Sequence, residues 1–336
     1  MGFEGTRLGR RDALALGGLA LGGAALAAPA LGQGTSGQGR FPDRPIRLII
    51  PWPPGGSADA QLRSLAEIAG RALGQSVVVE NRPGASGTMG AMHLTTQARP
   101  DGYTISQMHL SIVRRPFITR TPPWDPVNDF THIIGLCGWM FGIAVKADGP
   151  IKTWADYLAY ARANPGRLTY TTSGIATTNH LTMEELASRE KLELVHVPYR
   201  ASNEAAVAVA SGEVMSVADS SAWAPLVDGG QLRLICVWTA ERSPRFPEAP
   251  TLKELGYDMV VTSPYGLAGP RGMDPGIVRV LHDACKAALF DPANATVRAQ
   301  FDMPLEYYDT EDYRSFIARR AEYEKTMAQR LKLRID

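Results

Sequence analysis

Cysteine is scarce in this sequence, with Cys137, Cys236 and Cys285 the only three among 336 residues. Their spacing matches no metal-binding or redox motif, which excludes a cysteine-based zinc site or a Cys-x-x-Cys redox centre. Because apolar residues flank all three, we expect small, buried hydrophobic side chains at these positions. The alternative is one structural disulfide, which would leave the third cysteine unpaired.

The sequence also lacks an excess of charge of either sign. It has 35 Lys and Arg residues against 34 Asp and Glu residues. Residues 1–30 hold three of the basic and two of the acidic residues, so residues 31–336 have a formal net charge of zero. This balance gives no reason to expect a nucleic-acid partner or binding to an anionic membrane surface.

A long uncharged run, Ala13–Ala27, follows the paired Arg10-Arg11 and precedes a small-x-small sequence at residues 28–30. This order predicts that residues 1–30 are an export signal and not a membrane span. The paired arginines favour the twin-arginine route, which exports folded proteins. Cleavage after Gly32 is an alternative, and no cysteine follows either site to carry a lipid. We therefore expect a soluble, periplasmic protein.

Common catalytic signatures are absent from the sequence. Glycines at 84, 87 and 90 fit neither the dinucleotide fingerprint nor a P-loop, and Ser86 does not stand in a Gly-x-Ser-x-Gly turn. The six histidines show no metal-ligand spacing, and carboxylate pairs such as Glu184-Glu185 lie on helical faces typical of solvent exposure. We therefore expect no enzymatic activity, no cofactor and no metal ion.

Short strands and helices alternate from about residue 40 onward. The 306 residues after the predicted signal are long for one compact core, so two domains are expected. Repeated strand–helix units predict an α/β fold with doubly wound, mostly parallel sheets. The predicted strands are 46–50, 77–80, 103–106, 142–145, 168–172, 194–198, 214–218 and 232–238. The clearest predicted helices are 153–163, 178–188, 202–212, 276–290, 293–301 and 310–330.

The segment Pro51–Asp59 joins the first predicted strand to a helix through a turn rich in proline and glycine. Ser57 or Asp59 is expected to cap that helix. Glycines before a helix let an anion approach the free N–H groups of its first turn. Similar turns occur at 84–88, 173–179 and 199–202, and the carboxyl ends of strands are where α/β sheets bind ligands. Four such turns predict one cleft, although ordinary strand–helix turns can look alike.

A set of ordered motifs resembles the Bug family, the extracytoplasmic binding proteins of tripartite tricarboxylate transporters. The resemblance covers residue 41 to the C-terminus. The motifs are Phe41-Pro42-Asp43-Arg44-Pro45-Ile46, Pro51-x-Pro53-x-Gly55-Gly56-x-x-Asp59, Val79-Glu80-Asn81-Arg82-Pro83-Gly84-Ala85, Asp101-Gly102-Tyr103-Thr104, Trp124-Asp125-Pro126-x-x-Asp129-Phe130, Val197-Pro198-Tyr199 and Pro250-Thr251-Leu252-x-Glu254.

The resemblance implies a two-domain periplasmic-binding-protein fold, type II-like, whose domains are joined by two crossover strands. Domain 1 would comprise residues 41–138 and 262–336, and domain 2 residues 139–261. Such a monomer would capture a small carboxylate, either a dicarboxylate, a tricarboxylate or an aromatic acid, and deliver it to membrane permease subunits. The alternative is a sensor that docks on a signalling partner when it holds its ligand.

The resemblance also carries over ligand-binding positions, mainly the Gly-Gly turn of domain 1 and the Ser-Gly turn of domain 2. The full predicted set is Pro54, Gly55, Gly56, Ser57, Asp59, Ser86, Thr88, Gln107, Met108, His109, Ser173, Gly174, Thr177, His180, Tyr199, Ser202, Asp219 and Tyr265.

This sequence departs from the family at Gln107, Met108 and His109, where small residues are common, and at Tyr265. These side chains are interpreted either as shaping the pocket for a flat aromatic acid or as packing in its wall. A histidine beside a bound carboxylate would favour its charged form, so His109 is also a candidate for a charged contact.

Overall fold

The structure is a computed structural model that describes residues 41–330 and 333–335. The predicted export signal lies outside the described residues. No helix in the described part is long and apolar enough to cross a membrane.

Eleven strands and ten α-helices alternate along the described residues. The strands are β1 Ile46–Ile50, β2 Val77–Asn81, β3 Thr104–Met108, β4 Phe130–Cys137, β5 Phe141–Lys146, β6 Thr169–Thr172, β7 Val195–Pro198, β8 Ser216–Ser220, β9 Leu232–Val237, β10 Tyr265–Pro270 and β11 Leu305–Tyr308. The helices are α1 Ser57–Leu73, α2 Met89–Thr96, α3 Leu110–Ile118, α4 Trp154–Ala163, α5 Thr178–Glu190, α6 Ser202–Ser211, α7 Ala224–Asp228, α8 Pro275–Leu289, α9 Pro292–Gln300 and α10 Thr310–Arg330.

The strands form two separate sheets. The first has the order β11-β4-β10-β3-β1-β2 and the second the order β7-β6-β8-β5-β9. The predicted α/β class with two sheets is confirmed, but the sheets are mixed where mostly parallel pairing was predicted. Strands β1, β2 and β3 pair in parallel, as do β6, β7 and β8, whereas β4, β5, β9, β10 and β11 pair antiparallel.

Helices pack on both faces of the first sheet and bury its apolar side chains. Ile46, Leu48 and Ile50 of β1 are buried against the apolar stripe of α1, which includes Leu62 and Leu65. Helices α2, α3 and α10 contribute to a second core that contains Met108 of β3. Burial on both faces explains why β1 is almost continuously apolar.

The chain passes from the first sheet to the second after β4 and returns before β10. The two crossing segments, residues 138–140 and 258–264, lie side by side. The Trp139 N–H donates a hydrogen bond of 2.7 Å to the Thr262 carbonyl, and the Val261 N–H donates one of 2.8 Å to the Trp238 carbonyl. These segments are not strands themselves, unlike the predicted crossovers.

The three cysteines are buried and free, as predicted. Burial raises the pKa of each thiol to about 12, so none is a thiolate near neutral pH. They act as small apolar side chains within the core.

Candidate functional site

A cavity of about 60 Å³ lies between the two sheets, at the carboxyl ends of strands from both. Polar residues outnumber apolar ones in its lining, several of them at helix N-termini, but apolar atoms make up most of its exposed surface. The lining residues are Trp52, Pro53, Gly56, Ser57, Ala58, Asp59, His109, Ser111, Trp139, Phe141, Ser173, Thr177, Thr178, Asn179, Arg200, Ala201, Ser202, Asn203, Asp219, Ser220 and Ser263. Both sheets therefore contribute to one cleft, which we call the central cleft.

Four helices begin at the central cleft. Their N-cap residues are Gly56 for α1, His109 for α3, Thr177 for α5 and Ala201 for α6. Only Thr177 caps its own helix with a side chain, while the other three N-caps make no side-chain hydrogen bond to theirs. N–H groups at such ends lack intrahelical partners and lie at the positive end of the helix dipole, so the cleft is suited to an anion.

The turn before α1 is held by Asp59. Its carboxylate accepts hydrogen bonds from the Gly55 N–H at 3.0 Å, Arg63 Nε at 3.0 Å and Asn81 Nδ2 at 2.8 Å. Burial opposes the charged form, but these hydrogen bonds outweigh it and lower the pKa of Asp59. The predicted cap by Ser57 or Asp59 is wrong, because Asp59 reaches back to fix the turn and leaves the helix N-terminus open.

In the second sheet, Asp219 at the end of β8 lies in the wall of the cleft and is 1% exposed. Its Oδ1 accepts hydrogen bonds from Ser202 Oγ at 2.9 Å and the Ser220 N–H at 2.7 Å. Ser202 is thus both the first residue of α6 and a partner of Asp219. Burial raises the pKa of Asp219 to about 6, although the contacts with Ser220, Ser202 and Ser173 favour its charged form.

His109 is 2% exposed and its ring forms part of the cleft wall. Because its partner is a carbonyl, Nε2 carries the proton and donates to Gly87 O at 2.9 Å. Burial lowers the pKa of His109 to about 4, so the ring is neutral at physiological pH. A buried, neutral ring fits the packing interpretation better than the hypothesis of a charged histidine contact.

An aromatic patch adjoins His109. The ring centroid of His109 lies 4.9 Å from that of Trp52 and 6.1 Å from that of Trp139. The Trp139 centroid lies 6.1 Å from that of Phe141. These residues were missing from the predicted set. Tryptophan and phenylalanine in apolar surroundings look like core residues in a sequence, and only the position of the turns identifies them as cleft residues.

Eight of the predicted site residues line the cleft together: Gly56, Ser57, Asp59, His109, Ser173, Thr177, Ser202 and Asp219. The others lie outside its lining. Gln107 and Met108 are buried in the sheet, and the Tyr265 hydroxyl donates to Gln61 Oε1 at 3.0 Å while its ring packs on Trp139. Tyr265 therefore supports the wall from behind, consistent with the packing interpretation.

Several remaining predicted residues make local contacts. The Thr88 hydroxyl donates to Ala85 O, the Tyr199 hydroxyl donates to Glu213, and His180 Nδ1 accepts from the Ala176 N–H at 3.0 Å. Pro54 and Gly55 are exposed next to the cleft. None of these five is in the cleft lining.

Ser86 and Gly174 face each other from the two sides of the molecule. A Cβ placed on Gly174 would lie 3.0 Å from Ser86 Oγ. Gly174 has a φ of +138°, a conformation that favours glycine. The turns 84–88 and 173–179 thus approach each other beside the cleft, at two residues that are not in its lining.

Arg200 is the one exposed cationic side chain in the lining, and it makes no ion pair with any described residue. Sequence reasoning placed it in a turn but did not assign it to the site. Asn179 and Asn203 also line the cleft, at the beginnings of α5 and α6. Their position within the first turn of a helix that begins at the cleft could have identified them as site residues.

A buried ion pair lies behind the cleft. Arg114 of α3 and Glu324 of α10 are 1% and 0% exposed, with 2.6 Å between Nε and Oε2. Arg114 Nη1 also donates to the Ala176 carbonyl at 2.9 Å, in the turn that precedes α5. This contact links the C-terminal helix and α3 to a cleft-forming turn of the second sheet.

Comparison with known proteins shows which family this chain belongs to. The sequence model of the tripartite tricarboxylate transporter family receptors matches residues 61–333. A protein of Cupriavidus necator, named UPF0065 protein in gbd 5'region, is 49% identical over 294 residues, covering 88% of this chain and 89% of its own length.

Two solved structures have the same fold. The periplasmic binding protein BugD is 25% identical with a TM-score of 0.82, covering 88% of this chain and 99% of its own. R. palustris Rpa4515 with adipate is 28% identical with a TM-score of 0.79, covering 86% of this chain and 97% of its own. The chain therefore belongs to the tripartite tricarboxylate transporter receptor family, which includes the Bug proteins and is the family that its sequence motifs resemble.

Proposed function

We propose that this protein is an exported, periplasmic receptor that captures a small carboxylate in the central cleft and delivers it to a membrane permease. The observation that carries the proposal is the convergence of four helix N-termini on one cavity, three of them without a side-chain cap. A similar structure holds adipate, which supports an organic acid as the ligand class.

In this proposal the carboxylate binds to backbone N–H groups at the start of α1 and α3. Gly56 has no neighbouring atom within 4 Å of the position a Cβ would take, so a ligand can approach the backbone there. Hydroxyl groups of Ser57 and Ser111 lie in the same part of the lining. Arg200 supplies a positive charge from the opposite side of the cleft.

The domains proposed for this function follow the membership of the two sheets. The first-sheet strands fall within residues 41–138 and 262–336, and the second-sheet strands within 139–261. Each domain would contribute two of the four helix N-termini. A ligand bound between them would hold the two domains together, and the complex would then be the form that the permease recognises.

The ligand held by a similar structure favours an aliphatic acid. That structure, Rpa4515, holds adipate, an unbranched aliphatic diacid. We therefore propose a short aliphatic acid over the flat aromatic acid that the sequence also suggested.

The substitution Gly56→Val tests the anion site. Gly56 has φ −81° and ψ 170°, a conformation open to any residue, so the fold should be kept while the side chain blocks the N-terminus of α1. We expect at least a tenfold loss of affinity in calorimetric titration with the acid that stabilises the wild type most in a thermal-shift screen. A circular dichroism spectrum like that of the wild type is also expected.

Ala163→Val, on the exposed end of α4, is the matched control and should bind normally. Unchanged affinity of Gly56→Val would move the carboxylate away from α1. Delivery to a permease is tested separately by uptake of the labelled acid in cells that lack the gene. Normal uptake in those cells would contradict a transport role while leaving ligand binding intact.

A further inference from the structure

One carboxylate oxygen in the wall of the central cleft has no partner. Asp219 Oδ1 accepts the two hydrogen bonds from Ser202 and Ser220, but Oδ2 is buried and accepts none from the described residues. The hydroxyl and amide of Ser173 lie near the carboxylate without the geometry of a hydrogen bond. A buried polar atom normally has a hydrogen-bond partner, so this oxygen calls for an explanation.

The neighbouring groups indicate which partner fits. The uncapped helix N-termini suit a ligand anion, but a second carboxylate at Asp219 would meet a like charge. A hydrogen-bond donor is the complementary group at this position, because an ionised carboxylate only accepts. Asp219 and the helix N-termini thus favour two different groups on one ligand.

We propose that Asp219 is a specificity-determining residue that selects short carboxylates bearing a hydroxyl or ammonium group close to the acid group. The inference rests on the proposed function, because it assumes that the acid group binds at the helix N-termini. The donor of the ligand would form a hydrogen bond with Oδ2. An acid without that donor leaves the oxygen unpaired and binds more weakly.

The proposal also accounts for the arrangement of Ser202 and Ser220. Both donate to Oδ1, at 2.9 and 2.7 Å, and so fix the carboxylate with its other oxygen left for a ligand. Ser202 begins α6 and Ser220 ends β8, two rigid elements. Such a fixed acceptor discriminates between ligands better than a mobile one, because it cannot turn away to find another partner.

Matched sets of acids test the proposal by calorimetric titration. Succinate, malate and aspartate share a carbon chain and differ at one position, which carries hydrogen, hydroxyl or ammonium. Propionate, lactate and alanine form a shorter set, and glutarate, 2-hydroxyglutarate and glutamate a longer one. In at least one set we expect the wild type to bind a donor-bearing acid about tenfold or more tightly than the plain acid. Whether malate-type or aspartate-type acids bind best distinguishes a hydroxyl from an ammonium donor.

The substitution Asp219→Asn should remove this preference. The amide oxygen can still accept from Ser202 and Ser220, while its NH₂ group takes the place of the free acceptor. We expect the preference for the ammonium acid to disappear, because the affinity for that acid should fall relative to the affinity for the plain acid. Asp302→Asn is the matched control, since Asp302 also has one oxygen bonded to a serine, Ser243, and one without a partner, outside the cleft.

Equal affinity of the wild type for plain and donor-bearing acids would overturn this inference and leave the proposed function standing. Failure of all nine acids to bind would overturn both. Should Asp219→Asn not fold, a crystal structure of the wild-type complex decides the question. A ligand oxygen or nitrogen within about 3.2 Å of Oδ2 supports the proposal, and a separation above about 4 Å contradicts it.

Discussion

Gly174 shows how a single backbone conformation shapes the cleft. Its φ of +138° is one that side chains rarely adopt, and a Cβ there would make a tight contact of 3.0 Å with Ser86 Oγ. The sequence pointed to a glycine-rich turn at this position. The residue that this turn contacts, Ser86, lies almost ninety residues earlier in the chain, and no local sequence pattern predicts the contact.

We expect Gly174→Ala to lower the free energy of unfolding by about 1 to 3 kcal/mol, because alanine is strained at this φ. The closer contact with Ser86 should also weaken ligand binding. Urea unfolding and calorimetric titration measure the two effects separately.

Adding Ser86→Gly to that variant separates the contact from the strain. Because Ser86 itself has a φ of +54°, where glycine is favoured, the single variant Ser86→Gly is the reference for stability. The double variant should regain ligand affinity while remaining less stable than Ser86→Gly. Equal unfolding free energies of these two variants would mean that backbone strain contributes nothing at Gly174.

His109 predicts a pH dependence. Burial lowers its pKa to about 4 from an unfolded value near 6.5, so protonation favours the unfolded chain. The stabilising contribution is complete above pH 6.5 and is lost as the pH falls toward 4. At pH 5 the loss amounts to about 2 kcal/mol for this residue alone.

His109→Gln keeps a side-chain amide that can donate to Gly87 O but does not titrate. Between pH 7 and pH 5 we expect its unfolding free energy to fall by about 2 kcal/mol less than that of the wild type. Urea unfolding at both pH values measures this difference. Parallel losses in the two proteins would assign the acid sensitivity to other groups, such as His132 and His196, whose pKa values burial also lowers.

At the scale of elements, strands in local strand–helix units were predictable, whereas three antiparallel strands of the first sheet were not. The bounds of β1 match the prediction, because its apolar run and flanking turns are contiguous. Strands β4, β10 and β11 were missed. In β10 the sequence Tyr-Gly-Leu-Ala-Gly-Pro shows no alternation, and its partners β3 and β4 lie more than 120 residues earlier. The cleft was predicted from its turns, while its aromatic wall depends on how these distant strands assemble.

Helices α3 and α10 are joined by the Arg114–Glu324 ion pair, whose loss should destabilise the fold. Glu324→Gln leaves the Arg114 charge buried without its counterion, and removing one partner of a buried pair costs about 3 to 5 kcal/mol. Because Arg114 also donates to Ala176 O, we expect weaker ligand binding as well.

Urea unfolding of Glu324→Gln and of Glu67→Gln provides the comparison. Glu67 forms an exposed pair with Arg71 along α1, and its loss should cost less than about 0.5 kcal/mol. Similar values for the two variants would show that the Arg114–Glu324 pair contributes no more than a surface contact.

For the whole molecule, the position of the cleft between two sheets predicts a change of shape on binding. Within residues 41–330, two chain segments join the sheets, so rotation about them would open the cleft. We expect the radius of gyration from small-angle X-ray scattering to fall when the acid identified by thermal shift saturates the protein. Identical profiles with and without ligand would indicate that the free protein is already closed.

The hydrogen bond between Trp139 and Thr262 bears on which segment of the protein can be exchanged with that of a relative. It brings the beginning and the end of residues 139–261 next to each other, so that this stretch is topologically an insertion into the rest of the chain. An insertion whose ends meet can be exchanged with little disturbance of its host. We therefore expect that the half of the cleft containing Asp219 and Arg200 can be exchanged for the equivalent stretch of a relative, giving a chimaera with the acid-binding turn of one protein and the ligand preference of the other.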